Sequence, residues 1–206
     1  MPAPIKRALL LVISAPSGTG KSTLCDRLLS ESPNVTYSIS CTTRPPRGNE
    51  INGVHYHFLS DDDFLYRVHA NDFLEHAVVH QYRYGTLSAH VMQALIAGHD
   101  VLMDIDVQGA RQIRNVAAIT GYGEMVQRSL VDIFITPPSL AALRMRLQKR
   151  GVDSPESIEQ RLLAAQQEMS CWREYQYLII NDQFAEAYQQ LVCIIRAEHC
   201  RINVTP

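Results

Sequence analysis

The sequence predicts an α/β fold built on a parallel sheet, and three observations carry that prediction. Apolar runs of strand length at 8–14, from Val101 to about Val107, within 130–139 and at 177–182 alternate with stretches of helical periodicity. The first run leads through the glycine-rich "SAPSGTGKST" (14–23) straight into a helical pattern. The chain has 206 residues and 46% apolar side chains, enough for one packed core with insertions and too much for a disordered or fibrous chain.

Taken in order, "ALLLVIS" (8–14) reads as a strand buried on both faces, because it is continuously apolar rather than alternating. Lys6 and Arg7 before it mimic a secretory leader, but the run is short and enters the glycine loop directly, which fits a strand. "KSTLCDRLLSES" sets Leu24, Leu28 and Leu29 on one helical face, and Pro33 stops the helix. "VTYSISCTT" is a second extended stretch, and "RPPRGNEINGVHYHF" a loop entering a small antiparallel ribbon with Val54–Phe58 extended.

Ser60 and Asp63 have capping-box spacing ahead of Phe64, Leu65 and Val68, so the aspartate triplet 61–63 marks a helix N-terminus, where acids meet the positive dipole end. A helix ending near Gly98 precedes the strand from Val101 to about Val107. The 130–139 strand is followed by the basic helix "SLAALRMRLQKRG" and the helix "ESIEQRLLAAQQEM". The 177–182 strand is closed over by "FAEAYQQLVCIIRAEHCR". No internal repeat and no membrane-length apolar segment is present.

Composition narrows the function. A net charge of −2 with mixed signs gives no global field for a nucleic-acid backbone, so a polyanionic ligand must be small and met locally. Cys25, Cys41, Cys171, Cys193 and Cys200 are odd in number and lack zinc spacing, which predicts reduced, packing cysteines and a cytoplasmic location. His55 and His57 alternate on an extended segment with no third ligand suggested, and read as a partly exposed strand face.

The chemistry concentrates in three places. In a phosphate loop, backbone N–H groups wrap a nucleotide's β-phosphate, the lysine reaches the β- and γ-phosphates, and the hydroxyl residue holds Mg²⁺. Ala15, Pro16, Ser17, Gly18, Thr19, Gly20, Lys21, Ser22 and Thr23 supply that loop, with alanine where the pattern has glycine. Because Pro16 pushes the preceding residue into extended backbone, position 15 has no need of left-handed geometry. In "VLMDIDVQG", strand alternation predicts Asp104 and Asp106 on one face at a carboxyl end, where parallel sheets bind ligands. Two readings stand for that pair, a carboxylate serving Mg²⁺ or solvated strand-end acids. Arg44 and Arg47 lie in a turn-rich loop, and Arg146, Arg150 and Arg161 on late helices; separated arginine forks suit a grip on phosphates from two sides. Arg144 and Lys149 read as plain solvated charge.

"SAPSGTGKST", "SCTTRPPRGNEINGVHY", "FLEHAVV", "YGT", "LMDIDVQG", "PPS", "LQKRG", "IEQRL" and "IIND" together resemble guanylate kinases over most of the chain. The resemblance implies a P-loop nucleoside monophosphate kinase: a core of 1–34, 91–138 and 170–206, a GMP-binding insertion at 35–90 and a helical lid at 139–169. It implies ATP on residues 15–23 with Asn181 near adenine, and Mg²⁺ served by Ser22 with Asp104. GMP or dGMP would be held through its phosphate by Arg44, Arg47, Tyr56 and Tyr84, with Ser40 close by. The base would be read by Glu75, Thr86 and Asp106, with Asp104 near the same ligand. Arg146, Arg150 and Arg161 would act with Lys21 on the transferring group. A carboxylate suits guanine, whose N1–H and 2-amino group are adjacent donors, whereas adenine presents an acceptor at N1.

Three departures from the family pattern stand out. Gly48 comes one position early in "RPPRGNE", which bears on Glu50; the connection across 110–130 is long; and Arg83 precedes Tyr84, where it reads best as facing solvent. Two other functions fit parts of the pattern: a P-loop kinase for another acceptor, and a non-catalytic guanylate-kinase-like module that binds phosphopeptides. The retained Gly18, Gly20, Lys21 and Ser22 speak against the second. A homo-oligomer is compatible with everything above.

Overall fold

The computed structural model describes residues 7–79, 81–116, 122–151 and 153–202. A five-stranded, wholly parallel sheet has the order β2–β7–β1–β8–β9, formed by β1 (Leu10–Ser14), β2 (Val35–Tyr37), β7 (Asp100–Asp104), β8 (Leu130–Thr136) and β9 (Tyr177–Ile180). Every residue of β1 is buried because both faces are covered. Leu9, Leu11 and Ile13 pack with α1 (Lys21–Glu31) and α8 (Phe184–His199) on one side. Leu10 and Val12 pack on the other with α3 (Ser88–Ile96), α4 (Val107–Val116) and α5 (Gly123–Ser129). The expected α/β class with a parallel sheet is therefore the observed one.

A second sheet, β4–β3–β6–β5, stands beside the carboxyl end of the first and comprises β3 (Cys41–Thr42), β4 (His57–Phe58), β5 (Phe73–Val79) and β6 (Tyr82–Leu87). The extended stretch 35–43 thus divides: Val35–Tyr37 joins the central sheet against β7, and Cys41–Thr42 joins the small sheet. The ribbon is also not purely antiparallel, because β4 pairs parallel with β3 while β3, β6 and β5 alternate. Between them α2 (Asp61–His69) starts as its sequence predicts. Ser60 Oγ accepts from the Asp63 N–H at 3.0 Å and donates to its carboxylate at 2.6 Å.

The second apolar strand is shorter than its sequence suggests. It stops at Asp104, since Asp106 caps α4 by accepting from the Gly109 N–H at 2.8 Å, so the two aspartates do not share a strand face. The long connection is largely α4 and α5, with 117–121 outside the described residues. Helices α6 (Leu140–Arg150) and α7 (Pro155–Met169) enclose an apolar cluster of their own, Leu143, Leu147, Ile158, Leu162 and Ala165. Cys25 and Cys41 are buried packing residues, as expected, but Cys193 and Cys200 are exposed; all five are free thiols. Among the described residues no helix is long and apolar enough to cross a membrane.

Candidate active site

Residues 15–20 connect β1 to α1, so the N–H groups of the first helical turn open onto the loop. Ala15 has no left-handed backbone and packs against the core, which is how the loop tolerates it. Gly20 does require glycine: its φ is 95°, and a Cβ there would stand 2.7 Å from Asn181 Nδ2. That amide, at the end of β9, donates to the Thr19 carbonyl at 2.7 Å, and the Thr19 hydroxyl donates to the Pro16 carbonyl at 2.6 Å. Arg146 on α6 donates to the Asn181 carbonyl at 2.8 Å. The loop is therefore shaped from two sides, by β9 and by α6.

On one side of the loop, Gly18, Thr19, Gly20 and Thr23 line an open cleft of about 340 Å³ with Arg146, Lys149, Arg150, Asn181 and Phe184. On the other side lies a cleft of about 220 Å³. Its walls include Lys21, Ser40, Tyr56, Glu75, Tyr84, Asp104 and Asp106. Lys21 opens α1 directly after the loop, lines this second cleft and pairs with Asp104 at the end of β7.

Glu75, on β5, is 4% exposed and accepts from the Thr86 hydroxyl of β6 at 2.7 Å. Burial raises its titration to about 7, against the lowering effect of the Thr86 bond, and the nearby Asp106 charge adds to the rise. A carboxylate held this way is an acceptor short of donors. Arg44 is the opposite case, a buried guanidinium already satisfied by a two-pronged pair with Glu50 at 2.9 and 2.8 Å. It also lies 5.2 Å from the Tyr56 ring centre. Glu50 accepts from the Arg47 N–H at 2.7 Å as well, and Arg44 followed by that backbone bond holds its carboxyl down at about 2. The early Gly48, with a φ of 53°, makes the turn that returns Glu50 to Arg44.

Most predicted site residues thus line one of two clefts flanking the phosphate loop, with Lys21 on the wall of the second. Arg161 reaches the Ser17 hydroxyl at 3.4 Å while paired with Asp153 at 3.1 Å. Ser22 is exposed in the first turn of α1. Arg47 and Arg150 are exposed, and among the described residues neither guanidinium forms an ion pair. Arg83 pairs with Asp61 at 3.2 Å, away from the cleft. Arg144 pairs with Glu159 on the surface, as a plain charge would.

Sequence reasoning missed four residues. Tyr37 lines the cleft that holds Glu75, where burial and then the Asp104 charge raise its phenol. Lys149 lines the other cleft rather than facing bulk solvent alone. Glu168 on α7 is raised by burial, with the Lys21 charge opposing and the Asp106 charge adding to the rise; its seven-residue spacing from Arg161 puts both on one helical face and was the available signal. Gln112 pairs with the backbone of β5, which nothing in its sequence context announces.

A phosphate loop flanked by two concave sites, one open and one walled by a buried carboxylate, is the arrangement of a P-loop kinase that brings two phosphorylated ligands together. A family model described as guanylate kinase matches residues 7–198. The guanylate kinase of Maricaulis maris is 45% identical over 204 residues, 97% of this chain and 89% of that protein. That of Clostridium perfringens strain 13 is 40% identical over 197 residues, 96% and 87% respectively. The crystal structure of guanylate kinase from Anaplasma phagocytophilum superposes with a TM-score of 0.73 at 30% identity, covering 95% of this chain and 88% of that one. The chain belongs to the guanylate kinase family.

Proposed function

We propose that this chain phosphorylates GMP or dGMP from ATP, giving GDP or dGDP and ADP, with the residues in the roles that their positions suggest. The observation that carries the reading is the buried carboxylate of Glu75 in a cleft that shares Lys21 with the phosphate loop. Guanine's N1–H and 2-amino group are the adjacent donors that such a carboxylate lacks, while adenine would leave it unpaired and buried. Thr86 orients Glu75, and Asp106 and Ser40 flank it. Arg44, Arg47, Tyr56 and Tyr84 take the GMP phosphate; the Glu50 pair presents the Arg44 fork at a fixed angle.

ATP lies along residues 15–23, with adenine toward Asn181 and Phe184. A GMP phosphate oxygen attacks the γ-phosphorus, the bond to the β,γ-bridging oxygen breaks, and ADP leaves with that electron pair. Lys21, Arg146, Arg150 and Arg161 neutralise the transferring group, and Arg44 and Arg47 reduce repulsion between the two anions. The division into core, insertion 35–90 and lid 139–169 serves this by closing water out; Val35–Tyr37, which pair with β7, stay with the core sheet.

Mg²⁺ fits the donor set. Among the described residues no cluster of three or more His, Cys, Asp or Glu forms a cage, and Mg²⁺ is commonly held by one or two carboxylates, waters and substrate phosphates. Ser22 and Asp104 are the residues that would serve it, and bound there it supplies charge neutralisation on the β- and γ-phosphates. Asp104, paired with Lys21 in this structure, would have to share its carboxylate between that lysine and the ion.

ADP release measured with GMP, dGMP, AMP or no acceptor, on the parent and Lys21→Ala, tests the reading. GMP- or dGMP-dependent turnover, lost in the variant, is expected. Faster turnover of AMP, or equal ADP release without an acceptor, would replace it with another kinase or an ATPase.

A further inference from the structure

Glu75 sits on β5, the edge strand of the small sheet, and the pairing of β5 with β6 shifts register between Phe73 and Glu75. Leu74 is thus an extra residue without a partner across the hairpin, immediately before Glu75. Helix α4 covers the open edge. The Gln112 side chain accepts from the His76 N–H at 3.0 Å and donates to the His76 carbonyl at 2.6 Å, as a neighbouring strand would. One turn earlier, Gly109 leaves its side-chain space to Glu75: an added Cβ would lie 2.6 Å from Oε2 and 3.2 Å from Cδ. The other carboxylate oxygen, Oε1, is tied to Thr86. The same turn of α4 is capped by Asp106, so one helix end contacts both Glu75 and Asp106.

We propose that Gly109 and Gln112 are positioning residues for guanine selection: Gly109 holds the space that sets the plane of the Glu75 carboxylate, and Gln112 fixes the strand beneath it. This rests on the reading of Glu75 as the guanine acceptor. Neither residue itself lines either cleft, and neither acts on the reacting atoms. The yielding atoms against a new methyl are the far end of the Glu75 side chain, so the displacement falls on the carboxylate rather than on the helix. Gly109 has ordinary negative-φ backbone inside α4, where alanine is the better helix former. Gly109→Ala should thus keep the fold and disturb recognition.

The experiment measures kcat and KM for GMP, IMP and ATP, with thermal unfolding, on Gly109→Ala, Gln112→Met and Glu75→Gln. IMP keeps N1–H and lacks the 2-amino group, so the ratio of kcat/KM for GMP to that for IMP reports the paired acceptor alone. Gly109→Ala should keep its Tm and its KM for ATP, while kcat/KM for GMP falls about tenfold or more and the GMP-to-IMP ratio shrinks. Gln112→Met, similar in length but without the amide, should shrink the ratio too, and it is the deciding variant should Gly109→Ala fail to fold. An unchanged ratio in Glu75→Gln would overturn the reading of Glu75. A ratio lost in Glu75→Gln but retained in the α4 variants would overturn the positioning proposal alone.

Discussion

Glu75→Gln should make the protein more stable at the pH where it makes it a worse enzyme. The folded state holds the Glu75 proton up to about pH 7, whereas the ordinary value is 4.5, because burial penalises the ionised form. Between those values the folded chain binds more protons than the unfolded one, so stability is fully present below 4.5 and is lost as pH rises through 7. At 1.36 kcal/mol per unit, the difference amounts to about 3 kcal/mol of destabilisation above neutrality. Glutamine keeps an oxygen for the Thr86 hydroxyl, which donates at 2.7 Å, and carries no charge to desolvate. Urea unfolding should therefore show the variant more stable by about 3 kcal/mol at pH 8 and by under about 1 kcal/mol near pH 5. For a chain of this length that is roughly 6–12 °C in Tm at pH 8. Equal stabilisation at both pH values, or none at pH 8, would refute the reasoning, since only the ionisation cost depends on pH in this window.

The same titration should appear in catalysis: the GMP-to-IMP ratio of kcat/KM should rise with pH through about 7, and the rise should vanish in Glu75→Gln, because both substrates share the titration of their phosphate and only the paired acceptor differs. Gly20→Ala should cost about 1–3 kcal/mol in urea unfolding from its left-handed backbone, and equilibrium titration should show ATP binding weakened as the added carbon drives Asn181 off the Thr19 carbonyl. Glu50→Gln should raise the KM for GMP about tenfold with the KM for ATP unchanged, because Arg44 loses its charged, two-pronged partner; parallel initial-rate series in the two substrates check it.

What was legible in the sequence follows from which interactions are local. The run 8–14, the glycines and the helix start at Lys21 are contiguous, and their geometry is set by backbone sterics, so strand, loop and helix appear where the pattern puts them. Ser60 with Asp63 is equally local. Failures begin where one residue's conformation is decided by distant chain. Asp106 alternates with Asp104 on paper, yet it leaves the strand because its carboxylate caps α4. Val35–Tyr37 and Cys41–Thr42 read as one extended stretch, and only their partners, β7 and β6, divide them between two sheets.

The acceptor cleft pushes this argument furthest. Glu75 was named through a family pattern, since an isolated glutamate in "FLEHAVV" carries no chemistry that spacing reveals. Its competence comes from three separate places in the chain: Thr86 across the hairpin, the missing side chain of Gly109, and the Gln112 amide on the strand edge. Gly109 and Gln112 are neither titratable nor nucleophilic, so a search of the sequence for reactive residues passes over them. A site that reads a base through one buried carboxylate must place that carboxylate to a fraction of an ångström, and the residues doing so are chosen for shape and backbone pairing. On the proposed reading, specificity in this cleft is spread over α4 as well as over the strand that bears the acid.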